Sequence, residues 1–410
     1  MKKRSILLVI IFFISIIILS VNSNNKYLVK EESLATYIDG EKTDSFPAKG
    51  TVAFAKADCD NSTNIYWDND TWGLYITNLS EKTKCNLYFK TLENAVTKIT
   101  NLASSDATNM ATDDPDNNIR YIGANPNNYV YFNCDDYNNQ TSDTCELWRI
   151  IGVFNNIEKE DGTKENLIKI VRSDSIGEYS WDNKDETSGA ETGFGSNNWN
   201  ISKINYLLNP GHESETFGGS LYYNAKKGNC YSGANNAYKA CDFTRKGLKN
   251  DLTKNSIESV IWNLGGSSTY NDVTSKMFYI RERQNTVFSN DRNSFFAGKI
   301  GLIYPSDYGY ATSGSTATPR NFCLSKALFY WNDFADCYSN NYMYEKSNSV
   351  WTLTPSTITS YDNFRIEVDG QLSNFIVVHQ KMIKPALFLK SNISIGLGDG
   401  SSNTPYQLAI

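Results

Sequence analysis

Apolar residues run from Ile6 to Val21 with only Ser15 and Ser20 among them, and past residue 30 the pattern breaks into short alternations. Through ATYIDGEKTDSFPAKG, TVAFAKADC, NIYWD, WGLYITNL and CNLYF, apolar and polar residues alternate with the period of two that a half-buried strand requires, and Asp39-Gly40 supplies a turn signal. The pattern predicts a small, sandwich-like all-β module over residues 31–90. TLENAVTKITNLASS then places Leu92, Val96, Ile99 and Leu102 at helical spacing behind Thr91 as a cap, and DATNMATDDPDNN is polar throughout. Residues 91–118 are therefore expected to be a helix and a linker.

From residue 119 to 410 the expectation is one α+β domain. NYVYFNC, CELWRIIGVFNN and NLIKIVRS predict three successive strands, and FAGKIGLIYPS, SVWTLTPS, NFRIEVDG and KPALFLKS predict more toward the end. Between them ISKINYLLN predicts a helix that stops at Pro210-Gly211. SIESVIWNLGG predicts a second, with Ile257, Val260, Ile261 and Leu264 on one face and Gly265 at its end. Long Gly, Ser and Asn loops separate the later strands, and no repeat or heptad pattern runs through the chain.

The N-terminal run changes the picture of where this chain works. Lys2, Lys3 and Arg4 precede the apolar segment, which is the layout of an export signal. As a helix it spans about 24 Å, short of the ~30 Å hydrocarbon core of a bilayer but long for a cleavable signal. Residues 1–25 are thus expected to be either a signal peptide or a retained membrane anchor, and either outcome exports the rest.

Cysteine spacing supports the same compartment. The eight cysteines fall in neighbouring couples, Cys59 with Cys85, Cys134 with Cys145, Cys230 with Cys241 and Cys323 with Cys337. Eight cysteines allow about a hundred connectivities, of which nearest-neighbour bridging is the simplest. Such a framework fits an oxidising, extracellular setting. No C-x-x-C knuckle occurs, nor does a cysteine beside histidine, so zinc is not expected.

Net charge is −6, or −9 without the three leader cations, and no basic stripe is present; nucleic acid is not an expected partner. The 48 asparagines and 26 tyrosines suit polar, adaptable recognition surfaces, although an AT-rich genome is the simpler account of them.

IRYIGANPNNYVYFN, ELWRIIGVF, GLIYPSDYGYATSG, SVWTLTPS and ALFLKSNISIGLGDGSSNTPYQL together resemble a group of uncharacterised exported proteins of low-GC Gram-positive gut bacteria, over roughly residues 119–408. YIDGEKTDSFP and CNLYF resemble the module that often precedes that domain. The resemblance implies export but carries no activity. More distantly, LWRIIGVF, the YPSD turn, WTLTP and KPALFLKS resemble domains of the C-type-lectin-like and formylglycine-generating-enzyme-like fold. That likeness implies that the two ends of the domain, residues 147–154 and 385–391, pair as strands while a loop-rich half offers a binding face.

Trp331-Asn332-Asp333 is the tripeptide that lectins of that type use to hold calcium. Five of the eight tryptophans here precede Asn or Asp, so composition alone produces it. Calcium also demands about six to eight oxygens in one cage. The nearest candidate turns, Asp114-Pro115-Asp116 and Asn125-Pro126-Asn127, lie far upstream and lack the mixture of carboxylate and amide. Asn332 and Asp333 stand as calcium candidates without a visible cage, and no cofactor is expected.

Catalytic motifs are missing. The two histidines, His212 and His379, accompany no G-x-S-x-G elbow, H-E-x-x-H helix, P-loop or S-x-x-K set, and every cysteine has a bridging partner; no catalytic residue is assigned. The expected function is an extracellular or cell-surface binding or adhesion protein that recognises a glycan or a protein. It would meet the membrane only through an uncleaved N-terminal segment. Candidate contacts are the aromatics of three loops: Tyr179, Trp181 and Trp199; Tyr308 and Tyr310; Tyr330, Trp331 and Tyr344. A structural envelope or filament component is the alternative, and a glycan-cleaving enzyme using paired carboxylates a third reading.

Overall fold

The structure, a computed structural model, describes residues 34–60, 62–68, 71–77, 83–184, 193–283 and 294–410. The segment 1–25, expected to be a signal or anchor, lies outside the described residues, as does part of the candidate loop between Tyr179 and Trp199. The chain forms two compact units that divide between Glu93 and Asn94.

The first unit is built on the strand Cys85–Thr91. It pairs in parallel with Leu34–Ile38 and antiparallel with Val52–Cys59, and Leu34–Ile38 turns through Asp39-Gly40 into Glu41–Thr43. Both turn residues have positive φ, +52° and +92°, which is the backbone a two-residue hairpin with the right-handed strand twist needs. Val52, Leu87 and Phe89 form its core, covered by Trp67, Trp72 and Leu74 from the hairpin Asn64–Asp68/Gly73–Thr77. Cys59 and Cys85 are cross-strand partners and share a disulfide.

The second unit is α+β: mostly strands, several small sheets and a few short helices. Its main sheet runs in the order Ile300–Leu302, Pro385–Phe388, Lys164–Arg172, Glu146–Glu158, Ile119–Tyr121, Met110–Ala111, and Tyr129–Phe132 also pairs with Glu146–Glu158. All these pairings are antiparallel. The strand Lys164–Arg172 therefore stands between the two segments, 147–154 and 385–391, that were expected to be neighbours. Glu146–Glu158 is buried continuously from Trp148 to Phe154 because it is covered on both faces. Gly152 sits where a Cβ would lie 1.8 Å from the carbonyl oxygen of Ile119, so this crossing admits no side chain. A second sheet takes Glu178–Ser180, Gln380–Met382, Val350–Pro355, Asp362–Ile366 and Leu372–Ile376 in that order.

Ala95–Ala103 is helical, as its periodicity predicts, but Asn94 rather than Thr91 caps it, with its Oδ1 accepting from the Thr97 N–H at 3.2 Å. Lys203–Leu208 follows Ser202 in the same way. The helix expected over SIESVIWNLGG is absent. A helix capped by Asn250 spans Asp251–Ser256, and Val260–Asn263 is a strand paired with Phe295–Gly298. The apolar spacing fitted both periods, and Val260, Trp262 and Leu264, buried at alternate positions, follow the strand's; two β-branched residues in succession favour that outcome. YPSDYGY is also a helix, Pro305–Tyr310, with proline at its first position and Asp307 accepting from the Tyr304 N–H.

All four neighbouring cysteine couples are disulfides, each enclosing a short stretch of chain. Multiple bridges of this kind suggest an oxidising, extracellular location. No helix among the described residues is long and apolar enough to cross a membrane.

Candidate functional site

Six of the eight expected contact aromatics are core residues. Trp181, Tyr308 and Trp331 expose nothing; Trp199, Tyr310 and Tyr179 expose 1%, 2% and 8%. Trp181 packs edge-on against Trp199 at 5.1 Å and lies 6.2 Å from Trp351, while Tyr308 donates its hydroxyl to the Gly370 carbonyl and touches Trp331. Large rings contribute most when buried, and here that contribution goes to the core. Only Tyr330 is well exposed, and Tyr344 is half-buried with its hydroxyl on the Val368 carbonyl. Asn332 and Asp333 are exposed on a short helical turn inside the Cys323–Cys337 bridge. Among the described residues, no group of three or more His, Cys, Asp or Glu is placed to hold a metal.

The most densely charged place is sealed rather than open. Asp307 accepts from Lys169 at 2.5 Å and from Arg120 at 2.9 Å, and Arg120 also donates to Asp114 at 2.6 Å; none of the four side chains exposes more than 2%. Lys169 lies 4.3 Å from the Tyr304 ring centre and 5.2 Å from that of Trp262. Burial pushes Lys169 down to about 8 against the pull of Asp307, and its two cationic partners hold Asp307 below the usual carboxylate range despite burial, so the pair is charged at neutral pH. Glu282 nearby exposes nothing, accepts from the Ser306 N–H and hydroxyl, and is pushed up to about 7 by burial. Enclosed by rings, this cluster fixes the helix Pro305–Tyr310 to the main sheet and offers no face to a ligand.

An open cleft of about 450 Å³ lies elsewhere in the same unit. One wall is the helix Lys203–Leu208 and the turn after it, giving Asn205, Asn209, Pro210 and His212; the other is the strand Phe295–Gly298 with Lys299. Asn200, Ser259 and Glu160 complete the lining. Asn209 is a structural clamp: its amide donates to the Ile300 carbonyl and to Asn205 Oδ1, and its Oδ1 accepts the Ile300 N–H, which ties the helix end to the edge of the main sheet. Asn205, 5% exposed, thus has its acceptor filled while its Nδ2 donor meets no partner among the described residues.

The hairpin wall is set by packing behind it. Phe296 turns inward against Trp199 and Trp262, and the Trp262 indole donates to the Gly298 carbonyl at 3.0 Å. A Cβ at Gly298 would strike the Phe296 ring at 2.2 Å, so glycine permits this turn of the ring. Phe295, at the alternate position, is 46% exposed at the cleft. Asn200 donates to its carbonyl at 3.3 Å. His212 stacks on Tyr206 at 4.2 Å, and burial lowers its pKa, which keeps the imidazole neutral at pH 7. Burial and the neighbouring lysines Lys390 and Lys254 also lower Lys299, whose ammonium donates to the Lys254 carbonyl. His379, half-buried in the turn between the strands Leu372–Ile376 and Gln380–Met382, packs on Phe375 and is not among the residues that line the cleft.

Four separated stretches supply this lining, and no local motif announces them. The turn Asn209-Pro210-Gly211-His212 is the one visible signal, and on its own it marks only a helix end. No protein-family model matches the chain, and no curated protein or solved structure matches it either.

Proposed function

We propose that this chain is an exported, surface-displayed or secreted binding protein, whose first unit serves as a sandwich-like stalk and whose second unit holds a ligand in the cleft between Asn205 and Phe295. The observation that carries the reading is the cleft itself: open, lined mainly by amide, hydroxyl and apolar groups, with the Asn205 Nδ2 donor meeting no partner among the described residues. Pockets of a few hundred cubic ångströms with a few convergent polar groups are the usual form of a small-ligand site. Four local bridges support work outside the cell. The resemblance to exported proteins of Gram-positive gut bacteria supplies the setting, with the leader as signal or anchor, and the lectin-like scaffold is kept as the proposed relationship of the second unit. The partner is a glycan or an extracellular protein carrying one, and catalysis is not part of the reading.

The test is binding by the full chain, isolated after export with its bridges oxidised, to a glycan array and to a panel of host-surface proteins. Saturable binding is expected. Concentration-dependent polymerisation without binding would favour the envelope or filament reading.

A further inference from the structure

We infer that the cleft selects uncharged saccharide rings, a conclusion that rests on the binding reading above and narrows it to one ligand class. A sugar hydroxyl both donates and accepts, so its site needs both functions side by side. Asn205 Nδ2 is an unused donor on a residue 95% buried, and Asn200, whose amide nitrogen is engaged by the Phe295 carbonyl, keeps Oδ1 as an acceptor. That donor is reachable from the cleft, so a ligand oxygen can take the place of water on it. His212, neutral by burial, carries one donor and one acceptor on its ring.

Phe295 gives the site its apolar element. Its half-exposed ring, on a strand held by the Trp262 and Phe296 packing behind it, is a flat platform for the C–H face of a pyranose. Such placement uses a rigid ring at little entropic cost.

Charge argues against the other classes. Among the described residues that line it, Glu160 and Lys299 are the charged ones, of opposite sign, and the Lys299 ammonium is committed to the Lys254 carbonyl. Among the described residues no arginine lines the cleft, so their side chains offer no forked donor of the kind that recognises phosphate or carboxylate. A peptide laid along the strand Phe295–Gly298 would need its outward carbonyls, and that of Phe295 is already taken by Asn200.

The experiment is calorimetric titration of the oxidised full chain with lactose, N,N′-diacetylchitobiose and digalacturonate, repeated on Phe295→Ala and Asn205→Asp. The second change keeps the acceptor that Asn209 uses and turns the free donor into an acceptor. The expected result is that a neutral disaccharide binds, digalacturonate does not, and each variant weakens binding by roughly threefold to tenfold. Preference for digalacturonate, or neutral-sugar binding that neither variant changes, overturns the inference while leaving the binding reading intact. Failure to bind any of the three overturns it as well; the wider reading then falls only if the array and the host-protein panel are also negative.

Discussion

Lys169 Nζ lies 2.5 Å from Asp307 Oδ2, and neither side chain reaches solvent. Removing one partner of such a pair leaves a buried charge uncompensated, which costs about 3–5 kcal/mol. Asp307→Leu is expected to show that loss in denaturant unfolding, since it strands Lys169 and removes one of the two carboxylates on Arg120. Lys169→Met combined with Asp307→Leu is expected to recover part of it, because two hydrophobic groups then fill the site and Arg120 keeps Asp114.

Asp182 and Glu282 are both pushed up to about 7 by burial. In the folded chain each holds a proton that the unfolded chain has already released above about pH 4. Their contribution is complete at pH values below the unfolded pKa and is lost as pH rises through 7, at on the order of 1 kcal/mol per pH unit for each group. His212 and His379, both lowered, act oppositely on the acid side, their contribution falling as pH drops below about 6.5. The two effects separate by substitution: melting temperature is expected to fall less between pH 5 and 8 for Glu282→Gln than for the parent.

Gly152→Ala places a methyl group where the Ile119 carbonyl oxygen stands. Overpacking between paired strands displaces backbone, and a loss of ~3 kcal/mol is expected. Thermal unfolding checks it against Gly162→Ala in the adjoining hairpin turn: Gly162 has open space around it, and its φ of +81° makes any loss one of backbone conformation alone.

The Cys323–Cys337 bridge closes a short loop around Trp331, whose indole donates to the Cys323 carbonyl. Replacing both cysteines by alanine is expected to cost about 3 kcal/mol through the freedom returned to the unfolded chain. Limited proteolysis near Tyr330 should accelerate in step, and unchanged cleavage and stability would mean that the bridge holds nothing the core does not.

Strands buried on both faces were legible because their apolar runs were short and bounded, as in LWRIIGVF and NLIKIVRS. Cysteine pairing was legible from spacing alone. SIESVIWNLGG was not, since Ile257, Val260, Ile261 and Leu264 satisfy a helical period while tertiary pairing with Phe295–Gly298 imposes the other. Tryptophan and tyrosine beside asparagine looked like a recognition surface, yet six of those eight rings pack into the core while Tyr330 stays exposed. The cleft was illegible for a different reason: Glu160, Asn205, Ser259 and Phe295 meet only through folding, in a chain where asparagine is too common to mark a site.

The most direct test of a ligand cleft between Asn205 and Phe295 is a crystal of the oxidised chain soaked in N,N′-diacetylchitobiose. The account predicts a sugar ring stacked on Phe295 with an oxygen within hydrogen-bond reach of Asn205 Nδ2. An empty cleft in crystals whose sugar is ordered elsewhere on the protein would contradict it.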